Sequence, residues 1–198
     1  LATLHVPVSG SVESQFDFDE AKFEGLRVDL DFGAGWVDTA QFPGGRLSFG
    51  AGELHASYAP EMKRLRLDKL ALDLGGGAKA TVEGHVDGVS RGLIAAGGDA
   101  EALLAGRFDV ALSNLPVARL GALWPVGVSR DGRKWVADNL HDGVVGEASA
   151  HVDLKLDPQH RTADIGAFRG KFRYRDLTIN YLNGLPHLQG VDGTGTFS

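Results

Sequence analysis

The chain has 198 residues, 43% of them hydrophobic, 28 glycines and a formal net charge of −6. This modest negative charge gives no general attraction to polyanions, which argues against nucleic-acid binding. The absence of cysteine excludes disulfides, thiolate metal sites and cysteine nucleophiles. No apolar run approaches the about 20 residues that span a bilayer. The abundant glycine indicates many turns and bends in a β-rich chain.

Alternating hydrophobic residues predict strands along residues 1–113. From residue 4 to residue 18 the apolar side chains alternate around Gly10, which predicts a first pair of strands that turns at this glycine. A stricter alternation runs from Leu26 to Phe32, and the glycines that follow it predict a bend or bulge. The next run, RLSFGAGELHASY, breaks at a glycine in the same way.

The alternation changes phase between residues 65 and 74. Leu65 and Leu67 share one phase, whereas the leucines at 70, 72 and 74 share the other. A slip of one residue along a strand moves every later side chain to the opposite face. The intervening pair, Asp68 and Lys69, therefore predicts a bulge or a short turn.

Residues 114–142 leave the β pattern and predict a two-helix insert. Pro116 lies in the opening turn of a first short helix, whose apolar residues between Val117 and Trp124 fall on one face. Pro125 cannot continue this helix and ends it. The spacing thus predicts a short amphipathic helix directly after a strand.

The second helix of the insert is predicted to begin at Ser129, which can cap it, and to last about three turns. Gly143 stands where a glycine commonly ends a helix. We expect Trp135, together with Val136 and Leu140, to dock onto the sheet and to cap one of its edges.

Residues 143–198 return to the β pattern. A long strand is predicted at 148–156, a turn at Asp157-Pro158-Gln159, further strands through 172–181, and a glycine-rich strand at the end. With strands at 80–86 and 108–112, and a helical turn at 99–104, the sequence predicts about a dozen strands. We expect a mainly β protein folded as one unit over 1–198.

Candidate catalytic and metal-binding patterns are weak. Residues 88–92 match the G-x-S-x-G pattern that surrounds the nucleophile of many hydrolases, with Ser90 in the central position. In a chain with this much glycine, chance alone gives about 0.2 such matches, and the residues after it form a poor helix, so a plain turn is the favoured interpretation. The seven histidines have no metal-ligand spacing. We expect no catalytic residue, no metal and no cofactor.

Four cations, Arg169, Lys171, Arg173 and Arg175, alternate with aromatic and small residues along one predicted strand. Alternation places all four on one face of the sheet. The favoured interpretation is a solvated convex face. The alternative is contact with lipid phosphates or with an acidic partner.

Three motifs in a fixed order resemble the large AsmA-like bacterial envelope proteins of the YhdP and TamB type. They are Trp124-Pro125, then Trp135-Val136-Ala137-Asp138-Asn139-Leu140, and finally Tyr181-Leu182-Asn183-Gly184-Leu185-Pro186-His187-Leu188-Gln189-Gly190. The similarity covers most of the chain and is strongest after about residue 110. It implies a fragment of a longer, periplasmic, bridge-like lipid-transfer protein that is anchored in the inner membrane by a segment outside this chain.

The resemblance also implies a long antiparallel sheet curled into a half-pipe, whose apolar face carries phospholipid acyl chains from the inner toward the outer membrane. Neighbouring segments of the same long chain would extend the groove. The side chains expected to line it are Val28, Leu30, Leu65, Leu67, Phe108, Val110, Val152, Leu154, Phe172 and Tyr174. At about 4.8 Å per strand, a dozen strands would form a groove about 55 Å long.

Alternation alone leaves other interpretations open. An ordinary β-sandwich has the same pattern, with the apolar face serving as its closed core. The main rival function is therefore a structural β-domain of an envelope protein that binds no lipid. An esterase that uses Ser90 is the weakest candidate.

Overall fold

The structure, a computed structural model, describes residues 3–90, 104–157, 162–181 and 186–198. Within these residues the chain is mainly β, with one long curved antiparallel sheet, a small second sheet and two helices, which confirms the predicted fold class. The strands are β1 (Thr3–His5), β2 (Val8–Asp17), β3 (Lys22–Phe32), β4 (Gly35–Asp38), β5 (Arg46–Phe49), β6 (Gly52–Ala59), β7 (Arg64–Gly75), β8 (Ala78–Asp87), β9 (Leu104–Pro116), β10 (Leu140–His141), β11 (Val144–Asp157), β12 (Thr162–Ile179) and β13 (Leu188–Phe197). The helices are α1 (Val117–Leu123) and α2 (Arg130–Asn139).

The large sheet runs in the order β2-β3-β6-β7-β8-β9-β11-β12-β13, and all neighbours are antiparallel. β10 lies in line with β11, because Leu140 and Val144 pair in one register with Ile179 and Arg175 of β12. In the described part of the chain the sheet is thus nine strands wide, about 38 Å at about 4.8 Å per strand. Its outer strands, β2 and β13, do not pair with each other, so the sheet is open.

The small sheet has the order β1-β4-β5. It forms because the chain leaves β3 after Phe32 and returns to the large sheet only at Gly52. These strands are therefore missing from the width of the large sheet, which makes it narrower than the expected 55 Å.

Gly10 does not turn the chain, so the predicted first pair of strands is wrong. β2 continues through this glycine and pairs with β3, whereas β1 pairs with β4 of the small sheet. A Cβ atom at residue 10 would lie 2.0 Å from the carbonyl oxygen of Asp29. The glycine therefore allows two strands to approach closely, which a turn glycine does not need to do.

The predicted bulge in β7 is confirmed. Lys69 pairs with His55 of β6 and Leu67 pairs with Ala56, so that Asp68 is the extra residue. The bulge restores the phase of the alternation: Leu65, Leu67 and the leucines that follow all lie on the same face of the sheet.

The two helices of the insert form where the sequence predicts them. Pro116 precedes α1, and the side-chain oxygen of Ser129 accepts a hydrogen bond from the backbone N–H of Gly132 at 3.2 Å, which caps α2. Gly143 does not end this helix. The helix ends at Asn139, and Gly143, with a φ of +68°, lies in the turn between β10 and β11.

Trp135 does not cap an edge of the sheet as expected. Half of its surface (50%) is exposed, and none of the residues of α2 is buried. The preceding loop instead contacts the loop between β4 and β5, where the N–H of Val126 donates to the carbonyl oxygen of Gln41 at 2.9 Å.

Two separate groups of buried apolar side chains lie at opposite ends of the strands. At the end that carries the helices, here called the insert end, the group consists of Phe49, Leu74, Ala78, Leu115, Val117, Val145 and Leu177. At the opposite end, here called the far end, it consists of Tyr58, Val86, Val89 and Leu104. The accessible surface of the chain is 12520 Å², whereas a compact monomer of this mass exposes about 9000 Å². Both observations fit an open sheet and not a closed sandwich.

Residues 99–103 and Pro158 and Gln159 lie outside the described residues, and with them most of the predicted helical turn and of the predicted turn after β11. Leu104, the last residue of that helical turn, begins β9. Among the described residues, no helix has the length and apolar character needed to cross a membrane.

Candidate functional site

The register of the large sheet aligns its apolar side chains into rows that cross the strands. Two rows occupy the middle of one face, between the insert end and the far end. The first consists of Leu30, Leu54, Leu70, Val82, Val110 and Ala150, and the second of Val28, Ala56, Leu67, Phe108, Val152 and Phe168, with Gly84 between Leu67 and Phe108. We call these twelve apolar residues the middle rows. Because cross-strand partners share a face, the apolar surface is continuous from β3 to β12.

All ten residues predicted to line a groove lie on this apolar face. Six of them belong to the middle rows: Val28, Leu30, Leu67, Phe108, Val110 and Val152. Leu65 and Leu154 lie one row nearer the far end, in line with Val86 of β8 and with Gly106 of β9.

The remaining two predicted residues, Phe172 and Tyr174, pack against the buried group at the insert end. Phe108 belongs to the middle rows and also packs against the group at the far end. The prediction therefore combines the open middle of the face with its covered borders.

The middle rows are not covered by the described part of the chain. None of their side chains is buried and none is fully exposed, and of the twelve only Phe108 packs against a buried group of the described residues, the one at the far end. In a sandwich these central positions would be the most buried, since a second sheet would lie about 10 Å above them. Here the helices and the small sheet cover only the insert end.

Aromatic rings form the part of the apolar face that lies on β12 and β13. Phe168 stacks on Phe197 with 4.7 Å between the ring centroids, and Phe172 lies 6.4 Å from the same ring. The rings lie flat over glycines: a Cβ atom at Gly170 would come within 2.4 Å of Phe197, and one at Gly195 equally close to Phe172. The glycines thus make room for a smooth apolar surface.

The opposite face of the sheet is polar and crossed by ion pairs. His55 lies between Asp29, 2.5 Å from its Nδ1, and Glu53, 3.3 Å from its Nε2. Hydrogen bonding to Asp29 and then to Glu53 raises the pKa of His55 above its usual value. A hydrogen bond from Lys69, 2.6 Å from Glu53, is the main cause that lowers the pKa of that carboxyl group.

A broad depression of about 730 Å³ lies on this polar face and not on the apolar one. Acidic side chains such as Glu83 and Asp109 line one side of it, Arg169 and Lys171 line the other, and His151 lies between them. His151 pairs with Asp109 at 3.0 Å. The expectation of a convex surface around the cations is therefore wrong at Arg169 and Lys171.

The described residues contain no cluster of His, Asp or Glu that could hold a metal ion. Ser90 follows β8 and is exposed, but the segment that would have to form the helix of a nucleophile elbow, 91–103, lies outside the described residues. The geometry therefore supplies no argument for hydrolysis.

Sequence reasoning missed several residues of the middle rows, among them Leu54, Leu70 and Val82. Each of these residues belongs to a run of alternating apolar residues, which is the pattern that predicts a strand with one apolar face. The phase slip in β7 left open which of these runs lie on the same face of the sheet. Once the bulge at Asp68 is placed, the pairing of Leu54 with Leu70 and of Leu70 with Val82 follows.

Fold and site together define a mainly β protein with an open sheet, whose apolar face the described residues leave uncovered in its middle. Comparison with family models, with curated proteins and with solved structures found no match.

Proposed function

We propose that this chain is a non-enzymatic lipid-transfer module, in which the apolar face holds the acyl chains of phospholipid. The observation that carries the proposal is the continuous apolar surface of the middle rows, which the described residues leave uncovered. Exposing a large apolar surface to water is costly, and such surfaces commonly mark binding sites.

The dimensions of the face fit acyl chains. It is nine strands wide in the described part of the chain, about 38 Å, and the middle rows contain only aliphatic side chains apart from Phe108 and Phe168. No polar group interrupts the rows between β3 and β12. Such a surface offers dispersion contacts without fixing one position, which suits a ligand that moves along it.

The resemblance to AsmA-like envelope proteins supports a wider setting for the same proposal. In that setting the module lies in the periplasm within a longer chain anchored in the inner membrane. It would pass phospholipid toward the outer membrane and so support outer-membrane biogenesis.

The test begins with the purified chain and asks whether phospholipid accompanies it. We expect solvent extraction followed by mass spectrometry, together with native mass spectrometry, to find bound phospholipid. A structural domain with a closed core would carry none, and would also fail to bind an added fluorescent phospholipid. That result would contradict the proposal.

Substitutions on β11 connect the bound lipid to the apolar face. Val152→Asp and Leu154→Asp place a carboxylate on this face, whereas Ser149→Asp, the matched control, places it on the polar face of the same strand. A carboxylate beside water costs far less than one in a dry core. We therefore expect at least one of the first two variants to keep its β circular dichroism and lose lipid, while the control keeps both. If Val152→Asp and Leu154→Asp both unfold the protein, the face is an ordinary core.

A further inference from the structure

The polar face contains a row of four cations that form no ion pair with a carboxylate of the described residues. Arg169, Lys171, Arg173 and Arg175 are all exposed and occupy alternate positions of β12. We call them the cation row. Within the described residues no carboxylate forms an ion pair with any of them, although Glu147 lies opposite Arg173 in the register.

Several other cations of the sheet form ion pairs. Arg64 pairs with Asp87 at 2.6 Å, Arg66 with Asp68 at 2.7 Å, and Lys69 with Glu53 at 2.6 Å. The cation row therefore concentrates positive charge on one strand of a chain whose net charge is −6. Like charges this close repel one another in the free protein, and an anionic ligand would relieve that repulsion.

We propose that the cation row binds an extended acidic polypeptide with carboxylates at alternate positions. Neighbouring same-face residues of a strand lie about 6.8 Å apart, and the row is therefore about 20 Å long. An extended peptide has the same spacing between alternate residues, so each of its four carboxylates can lie opposite one of the four cations. Ser149, Thr194 and Thr196, which flank the row in the register, provide hydroxyl donors beside it.

Other polyanions fit this surface less well. Arg169 and Lys171 line a depression, which a flat bilayer cannot enter, and the aromatic side chains of β12 lie on the opposite face. The row therefore lacks both the interfacial aromatics of a membrane-binding surface and the stacking platforms of a single-stranded nucleic-acid site. The proposal concerns a different face from lipid binding and does not depend on it.

The test uses two fluorescent peptides of equal composition and charge. One has four Glu-Thr repeats, and the other has four consecutive glutamates followed by four threonines. Only the first presents four carboxylates on one side when extended. We expect fluorescence anisotropy to show tighter binding of the alternating peptide to the whole chain, weakening as salt is raised.

Variants in which glutamine replaces two cations test whether the peptide binds at the cation row. Lys171→Gln combined with Arg173→Gln should weaken binding of the alternating peptide at least tenfold. The matched control, Arg27→Gln with Lys79→Gln, removes two exposed cations elsewhere on the polar face and should leave it unchanged. Circular dichroism verifies the fold of each variant. Equal binding of the two peptides, equal loss in both double variants, or row-dependent binding of phosphatidylglycerol vesicles without peptide binding would each overturn the proposal.

Discussion

The ends and the middle of the apolar face consist of the same residue types but differ in what covers them. At the insert end Leu115 is fully buried (0% exposed) beneath residues of the helices and the small sheet, whereas Leu54, in the middle rows, stays half-buried. Alternation creates an apolar face, and only tertiary packing decides whether that face becomes a core. The stability of this chain should therefore depend on the ends of the face, and its binding on the middle.

The largest effect is expected at the covered end. Leu115→Ala removes a side chain from a fully packed site and should lower the free energy of unfolding by about 2–5 kcal/mol. Leu54→Ala deletes the same atoms from a half-exposed site, so its cost should stay under about 1.5 kcal/mol. Urea denaturation of both variants measures the difference. Equal losses would mean that the middle rows are as well covered as the ends.

Substitution of a glycine tests how closely neighbouring strands approach each other under the middle rows. A Cβ atom at Gly84 would lie 2.2 Å from the carbonyl oxygen of Arg107 and 2.7 Å from the ring of Phe108. Gly84→Ala should therefore cost about 1–3 kcal/mol, as overpacking does. Gly121→Ala is the control, because nothing lies within 4 Å of its Cβ position, and in α1 it should stabilise by up to about 1 kcal/mol. A neutral Gly84→Ala would argue against this close strand pairing.

The two tryptophans of the helical insert also differ in how well they are covered, and we expect a smaller difference in stability between their variants. Trp135 is half exposed, so Trp135→Ala should cost under about 1 kcal/mol instead of the about 3–5 kcal/mol of a core tryptophan. Trp124 is better packed, since its Nε1 donates to the carbonyl oxygen of Val128 at 2.8 Å. Thermal or urea unfolding should therefore find Trp124→Ala the more harmful change, and the reverse order would place Trp135 in a buried contact.

The smallest effect concerns pH on the polar face. Because Asp29 and Glu53 raise the pKa of His55, protonated His55 stabilises the fold. This contribution is complete below the unfolded-state pKa of about 6.5 and is lost as pH rises through the higher folded-state value. The stability difference between the wild type and His55→Gln should therefore shrink between pH 6 and pH 9. A difference that grows over this range would contradict the assigned direction.

Much of the apolar face could be predicted from the sequence, because its signal is local. Alternation has a period of two, so the face of each strand can be assigned from its own residues. The slip at Asp68 and Lys69 also marked the bulge that aligns β7 with β6. For that reason all ten predicted lining residues lie on one face.

What could not be predicted depends on distant parts of the chain. Pairing of β1 with β4 requires knowing where the strands between them go, and local alternation at Gly10 suggested a turn instead. The exposure of Trp135 depends on how α2 sits beside the sheet, which its own amphipathic pattern does not determine. The depression on the polar face arises from the curvature of many strands together.

The central claim, that the middle rows are open to solvent and to ligand, can be measured directly because the chain has no cysteine. Single variants Val110→Cys in the middle rows, Leu115→Cys at the covered end and Ser149→Cys on the polar face should be labelled with a maleimide under native conditions. In delipidated protein we expect Val110→Cys to react nearly as fast as Ser149→Cys, with Leu115→Cys protected, and added phospholipid to slow only Val110→Cys. Protection of Val110→Cys in delipidated protein to the same degree as Leu115→Cys would contradict the account.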